Sequence, residues 1–557
     1  MLSIAINLFA NIEKKGDHLI TKPSLDELIV GLIRNLEKLE SQVGPDYAPS
    51  MMASLSSLDR LRAEWQGHAD LLREENEDIR QVLLDLDMEL GIGSHESDPH
   101  TQNEADVQTN VSRLEAENRD LKTGIVRAIE HFNLPPGANG TPEQFKADER
   151  ILPLILRILH REDRTPTPMP RLAATAGNPE NKGLSADVVE DALYRFFKSE
   201  MPHTNDIEIS ELGPLGGGAS REAWVFNVSW QDEEKRGLFG KKKTQRTEEC
   251  IMLREPVSSL MVSDKSASEL TGTRRTVGTE VRSIEAMDAA GVPVASILWA
   301  DTTGKWMDRP FFISKRLPGS ADVTTIVGTE QAPKIFQQYI SILADIHTKD
   351  PQQLSLPFLG EITRENAALT QIELYERNYR EQAKEPFPAV EYMIQWLKKN
   401  QPVAERISVV HGDYRLGNFM FDDTGIVGVI DWEQVHLGDP TEEIAFMFWA
   451  MWSLEALCPI DQFVDLYEQA SGISIDKQTL AFYRVFIELK MFVVGLTGMS
   501  SFYATPDFQM FYGGGTYIKY IRDGQIRALE EFSNGGPSVA FDAFQPKEFA
   551  APAGASV

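Results

Sequence analysis

The stretch from 408 to 433 leaves the backbone few ways to fold. Ser408-Val409-Val410 reads as a short apolar strand that delivers the loop His411-Gly412-Asp413-Tyr414-Arg415-Leu416-Gly417-Asn418. Residues 419–421 and 426–430 then read as a short hairpin turned by Asp422-Asp423-Thr424-Gly425. Such a hairpin returns Asp431 close to Asn418. A carboxylate, a side-chain amide and a second carboxylate are thereby expected to converge.

Phosphoryl transfer to a hydroxyl needs this set of groups: an Asp to accept the proton of the attacking hydroxyl, and oxygen ligands to hold magnesium on the nucleotide phosphates. The protein kinase loop H-x-D-x-x-x-x-N, with a later Asp on the metal, has the same spacing logic. With Gly between His and Asp, the stretch resembles the aminoglycoside phosphotransferase and choline kinase superfamily. That resemblance implies Asp413 as the base, Asn418 and Asp431 as the Mg2+ ligands, and His411 as a support for the loop. The competing reading is a chance H-G-D on a surface turn; the spaced Asn, the hairpin and the second Asp weigh against it.

The resemblance continues downstream. Gly438-Asp439-Pro440 followed by Glu442-Glu443-Ile444-Ala445 is similar to the family's G-D-P-x-x-D-L-A helix start, with Glu443 where the family usually has Asp. Asp439 is expected to cap the following helix and so brace the metal-binding loop. Ile430-Asp431-Trp432-Glu433 is similar to the branch found beside, or fused to, acyl-CoA dehydrogenases. His347, in Leu343-Ala344-Asp345-Ile346-His347, resembles the family's structural L-x-x-[IL]-H helix and is expected to be packed and hydrogen-bonded.

Upstream lie the groups that a nucleotide would need. Leu215-Gly216-Gly217-Gly218-Ala219-Ser220-Arg221-Glu222 sits between two strands, and glycines let backbone amides approach phosphate oxygens. Placed about two hundred residues before H-G-D, Gly216, Gly217, Gly218 and Ser220 are expected to form the ATP loop. Cys250-Ile251-Met252-Leu253-Arg254 reads as the third strand, ending in Arg where protein kinases have Lys. Arg254 is expected to serve as the phosphate cation, with Glu280 on the following helix as its partner. Residues 311–319 fit the segment joining two lobes, with backbone near Ser314 and Arg316 meeting the adenine. Lys315 stands where family members commonly carry Glu, a position that bears on ATP against GTP.

Residues 1–165 read differently. Ser24 and Glu27 form a capping box, and Leu58, Trp65, Leu72, Ile79 and Leu86 recur every seven residues. Val111, Leu114, Leu121, Ile125 and Phe132 repeat that rhythm. Two arrangements fit: an intrachain helical bundle, or pairing of the Leu58 helix with its copy in a second subunit; the polar break near 91–110 favours the bundle. A homodimer through these helices is expected. Pro166, Pro168, Pro170 and Pro179 mark 166–183 as a linker. Residues 185–201 then form an amphipathic helix, and 232–249 a charged hairpin tip.

The fold class expected is α+β: an all-α helical bundle at 1–165, a linker at 166–183, and a bilobal protein-kinase-like domain at 184–535, with a small β-rich lobe and a helical lobe. An irregular tail at 536–557 closes the chain. The net charge of −29 excludes non-specific nucleic-acid binding and a basic membrane-surface helix. Cys250 and Cys458, the two cysteines, read as reduced core residues. No targeting or membrane-spanning segment is read, so a cytoplasmic protein is expected. The resemblance implies an ATP- and Mg2+-dependent kinase of a hydroxylated small molecule: a hydroxyacyl-CoA by branch, or an aminoglycoside- or choline-like cation by charge. A nucleotide-binding pseudokinase scaffold is the reading from another class.

Overall fold

The structure, a computed structural model, describes residues 68–90, 107–132, 152–160, 184–202, 204–215, 221–235, 241–255, 276–326, 329–383, 386–449, 454, 457–502 and 524–526. The capping box at 24–27, the linker at 166–183 and the tail at 536–557 lie outside the described residues. The chain divides at Leu71/Leu72.

A five-stranded antiparallel sheet forms the smaller lobe, in the order β1 (Asn205–Leu215), β2 (Glu222–Lys235), β3 (Lys241–Arg254), β5 (Phe311–Lys315), β4 (Ile297–Asp301). Strand alternation gives the sheet two distinct faces. On one, Trp224, Phe226, Val228, Cys250, Met252, Phe311 and Ile313 pack under Val189, Leu193, Phe196 and Phe197 of the helix Ala186–Glu200. On the other, Leu253 and Phe312 join a core that includes Val277, Val281 and Ile284 of the helix Val277–Ala289.

Strands β2 and β3 reach beyond the expected hairpin. Their register runs unbroken from Glu222 with Arg254 to Lys235 with Lys241, so most of the stretch read as a charged tip is strand. Its alternation is charged rather than apolar, and hydropathy carries no strand signal there.

The helical lobe is built on the helices Ala332–Thr348, Ala367–Gln382, Pro388–Lys399, Pro440–Met447, Ile460–Ser471 and Lys477–Phe502. Two short sheets pack against these helices: β6 (Ser408–Val410) with β9 (His436–Gly438), and β7 (Phe419–Asp422) with β8 (Gly425–Val429). Tyr339 and Tyr414 tie helix Ala332–Thr348 to the 411–418 loop reciprocally, each hydroxyl donating to the other's carbonyl at 2.9 and 2.8 Å. Both rings are fully buried. The bilobal α+β architecture is the one expected.

Ahead of the sheet, His68–Leu90, Val107–Phe132 and residues 152–160 are helical. The heptad residues Leu72, Ile79 and Leu86 are buried, as are Leu114 and Ile125. The first two helices meet through buried Asn76 and Asn118, 2.9 Å apart, with Lys122 on Glu75 at 2.8 Å. Ile79, Val82, Leu86, Ile125 and Ile129, with Ile155 and Leu159 beyond them, share one continuous core with the helical lobe. Helix Val107–Phe132 lies against Pro388–Lys399.

Candidate active site

Strand β6 is three residues long and wholly buried, paired residue for residue with β9. It ends at His411, where the chain turns. Gly412 has φ +85°, and a Cβ there would meet the Gln434 carbonyl oxygen at 2.5 Å, so only glycine fits the turn. The helix Pro440–Met447 braces it from behind. Asp439 caps that helix by accepting the Thr441 amide at 2.9 Å, as its G-D-P placement implied. One turn on, Glu443 accepts the backbone N–H of His411 at 2.8 Å and of Gly412 at 2.7 Å. Glu443 also meets His347 at 3.2 Å, and His347 meets the Tyr467 hydroxyl at 2.8 Å. His347 is therefore the packed, hydrogen-bonded residue expected of it.

His411 holds the loop in the other direction. Its Nδ1 accepts the Asp413 amide at 3.2 Å, which leaves the proton on Nε2 to donate to the Ile430 carbonyl at 3.0 Å. Burial keeps this imidazole's pKa below the ordinary value. The Ile430 amide in turn donates to the Asn418 carbonyl at 2.9 Å. The β7–β8 hairpin thus returns the chain to the loop it left, and Asp431 follows with a left-handed φ of +68°.

Asp413 sits at the meeting point, 6% exposed. Asn418 donates its amide to Asp413 Oδ2 and to the Asp413 carbonyl, both at 2.8 Å, and Arg415 Nε lies 3.2 Å from Oδ1. Burial pushes the Asp413 carboxyl up to about 7; Arg415 opposes this, and the charge of Asp431 adds to it. A carboxylate so poised can exchange a proton with a hydroxyl near neutral pH. Because the Asn418 nitrogen is turned onto Asp413, the hard oxygen donors here are the Asn418 amide oxygen and the Asp431 carboxylate. Among the described residues no group of three or more His, Cys, Asp or Glu forms a metal cage. Magnesium on a nucleotide needs only one or two protein oxygens, and this pair fits that demand.

Residues 259–483 match the phosphotransferase enzyme family. Over that stretch the chain is similar to phosphotransferases. It is 29% identical over 192 residues to acyl-CoA dehydrogenase family member 10 of Mus musculus, a match covering 34% of this chain and 18% of that protein. It is 28% identical over 271 residues to a probable acyl-CoA dehydrogenase of Arabidopsis thaliana, covering 46% of this chain and 30% of that one. The chain therefore spans less than a third of the length of these relatives. Among solved structures, macrolide 2'-phosphotransferase type I is 15% identical with a TM-score of 0.38, covering 58% of this chain and 96% of that one.

The other expected residues fare differently. Gly216, Gly217, Gly218 and Ser220 lie outside the described residues. Arg254 and Glu280 do not meet. Alternation along β3 puts Arg254 on the face of Cys250 and Met252, under helix Ala186–Glu200, while Glu280 belongs to the helix over the opposite face. Arg254 instead lies 2.6 Å from Glu222, its cross-strand partner, and donates to the Met307 carbonyl at 3.2 and 2.8 Å. Glu280 pairs with Arg221 at 2.8 Å, and Arg221 also lies 3.6 Å from Glu433.

Ser314 is buried, with β3 on one side of it and β4 on the other, and the Arg316 amide donates to the Glu249 carbonyl at 2.9 Å. The Arg316 backbone donor is thus taken by the sheet. Residues 315–319 and 247–249 line a cavity of about 600 Å³ beside the lobe junction.

Sequence reading missed Lys490. It is 1% exposed, donates to the Gly412 carbonyl at 2.7 Å, and lies 3.8 Å from Glu442 and 4.7 Å from the centre of the Phe446 ring. The signal for it was a Lys and a Glu inside the apolar run 486–499, because buried charges need built partners. Cys250 and Cys458 are buried and are not joined to each other, and no described helix is long and apolar enough to cross a membrane.

Proposed function

We propose that the bilobal domain is an ATP- and Mg2+-dependent kinase that transfers the γ-phosphoryl group to a hydroxyl of a small molecule, with Asp413 as the base. The observation that carries this reading is the buried Asp413 carboxylate, fixed at one oxygen by Asn418 and at the other by Arg415. In the reaction the acceptor oxygen bonds to the γ-phosphorus, the bond to the ADP oxygen breaks, and the hydroxyl proton passes to Asp413. Asn418 and Arg415 keep the carboxylate aimed at the hydroxyl. A positioned base of this kind contributes on the order of 10²–10⁴-fold in rate. Magnesium, held by Asn418 and Asp431, would neutralise charge on the phosphate oxygens.

The acceptor we propose is a hydroxyacyl-CoA. Its support is that the curated relatives are named for acyl-CoA dehydrogenases. A cationic acceptor such as an aminoglycoside is the second reading, favoured by the net charge of −29. The test is ATP consumption in the presence of magnesium, with a panel of hydroxyacyl-CoA thioesters beside a panel of aminoglycosides. Turnover with the thioesters is expected. Turnover confined to aminoglycosides replaces the acceptor, and a chain that binds ATP without turnover on either panel supports the scaffold reading instead.

A further inference from the structure

The cation expected from β3 is committed elsewhere, which raises the question of what else could meet the nucleotide phosphates. Both edges of the Arg254 guanidinium are bonded, to Glu222 and to Met307, on the face of the sheet away from Glu280. The opposite face carries Ala223, paired in register with Leu253. Arg221 stands two residues before Ala223 and immediately after the run Gly216-Gly217-Gly218-Ala219-Ser220. Its guanidinium reaches Glu280 at 2.8 Å and Glu433 at 3.6 Å, and Glu433 is two residues beyond Asp431.

One guanidinium thus joins the helix of the smaller lobe to the loop that carries Asp431. The Nε–H of Arg221 is buried and has no hydrogen-bond partner among the described residues. A buried donor without an acceptor is costly, and a guanidinium bonded on only part of its fork presents its remaining N–H groups to an oxyanion.

We infer that Arg221 is the residue that binds the nucleotide's phosphate oxygens, oriented by Glu280 and Glu433, in the place that sequence reading gave to Arg254. The inference rests on the kinase reading above and deepens it. The ligand class is a nucleoside di- or triphosphate, and the contact is to the phosphates, not to the base or ribose. The two carboxylates orient the guanidinium, and they keep a cation stable in a setting where burial disfavours charge.

The experiment compares binding of ATP and of adenosine by the full chain, using calorimetry in the presence of magnesium. Arg221→Gln is expected to weaken ATP binding by about tenfold or more while adenosine binding stays within about twofold, since one lost charge-assisted contact is worth roughly a factor of ten. Arg221→Lys is expected to recover part of the loss. Arg254→Gln is expected to leave the ratio of ATP to adenosine affinity unchanged. Adenosine binding doubles as the control for folding. If Arg221→Gln lowers both affinities together, the effect is on the fold and the phosphate contact is refuted; Arg221→Lys, which keeps the charge, must then also fail to favour ATP. If Arg254→Gln gives the phosphate-selective loss, the inference is overturned while the kinase reading stands. A wild-type chain that binds no ATP removes both.

Discussion

The Glu443 carboxylate accepts the Gly412 amide at 2.7 Å with one oxygen and the His411 amide at 2.8 Å with the other. A single side chain at the start of a helix therefore fixes the peptide units on either side of His411, and His411 Nδ1 accepts the Asp413 amide that follows. His347 and Tyr467 lie behind it and hold it in turn. The geometry of the proposed base is set less by Asp413 itself than by this buried network.

Replacing Glu443 by Gln keeps one acceptor oxygen but turns an amide NH2 toward a backbone N–H. The loss expected is on the order of 3 kcal/mol of stability, because a buried hydrogen-bonded charge network is broken. Thermal unfolding of the two proteins measures it. Burial alone would raise the Glu443 pKa, but hydrogen bonding and charge from His347 and His411 outweigh it and hold the carboxyl below the usual range. A folded-state pKa below the unfolded one gives stability that is complete above the unfolded value and lost as pH falls through the folded value. The gap between wild type and Glu443→Gln is therefore expected to hold from about pH 7 to about pH 5 and to narrow below about pH 4. A gap that widens on acidification would contradict the assignment.

Gly319 tests the junction between the lobes. It has φ +89°, and a Cβ there would lie 1.8 Å from the Phe421 carbonyl oxygen. Next to it, Ser320 and Phe421 exchange two backbone hydrogen bonds, each 2.9 Å, which fasten the segment between the lobes to the hairpin preceding Asp431. Gly319→Ala is expected to cost more than about 2 kcal/mol and to weaken ATP binding, since the clash is with backbone and cannot be relieved by a rotamer. A variant with unchanged melting temperature and ATP affinity would show that the junction yields freely.

The contrast between Asp413 and Arg254 shows what the sequence could convey. The loop, the hairpin and the returning Asp431 are encoded within about 25 residues by turn chemistry and short strands, so their convergence was readable from local patterns. Which face of β3 carries Arg254 is not a local property. It follows from the register with β2 and β5 and from helix Ala186–Glu200 covering that face, and neither leaves a mark on the motif. The long ribbon of β2 and β3 was hidden for a similar reason, its sequence there being polar or charged throughout, so that no apolar alternation marks it. Heptad spacing showed that Ile79, Leu86 and Ile125 form apolar stripes, but a stripe does not name the surface it covers.

That covering surface is in the helical lobe, and it makes a further prediction. The cores of helices His68–Leu90 and Val107–Phe132 are continuous with residues such as Ile394 and Leu397 of Pro388–Lys399. A chain starting at residue 184 is expected to expose this apolar surface, to melt at lower temperature than the full chain and to bind a hydrophobic dye. Unchanged melting without dye binding would mean that the N-terminal helices contribute nothing to the lobe they lie on.

The central claim, that Asp413 takes the proton of an acceptor hydroxyl, is tested most directly by Asp413→Asn. The amide retains the size of the side chain and removes the basic oxygen. With the acceptor that turns over in the ATP-consumption panel, the variant is expected to lose turnover by about 10²-fold or more while ATP affinity stays within about threefold. Turnover equal to wild type, with ATP binding intact, would contradict the role given to Asp413 and the mechanism built on it.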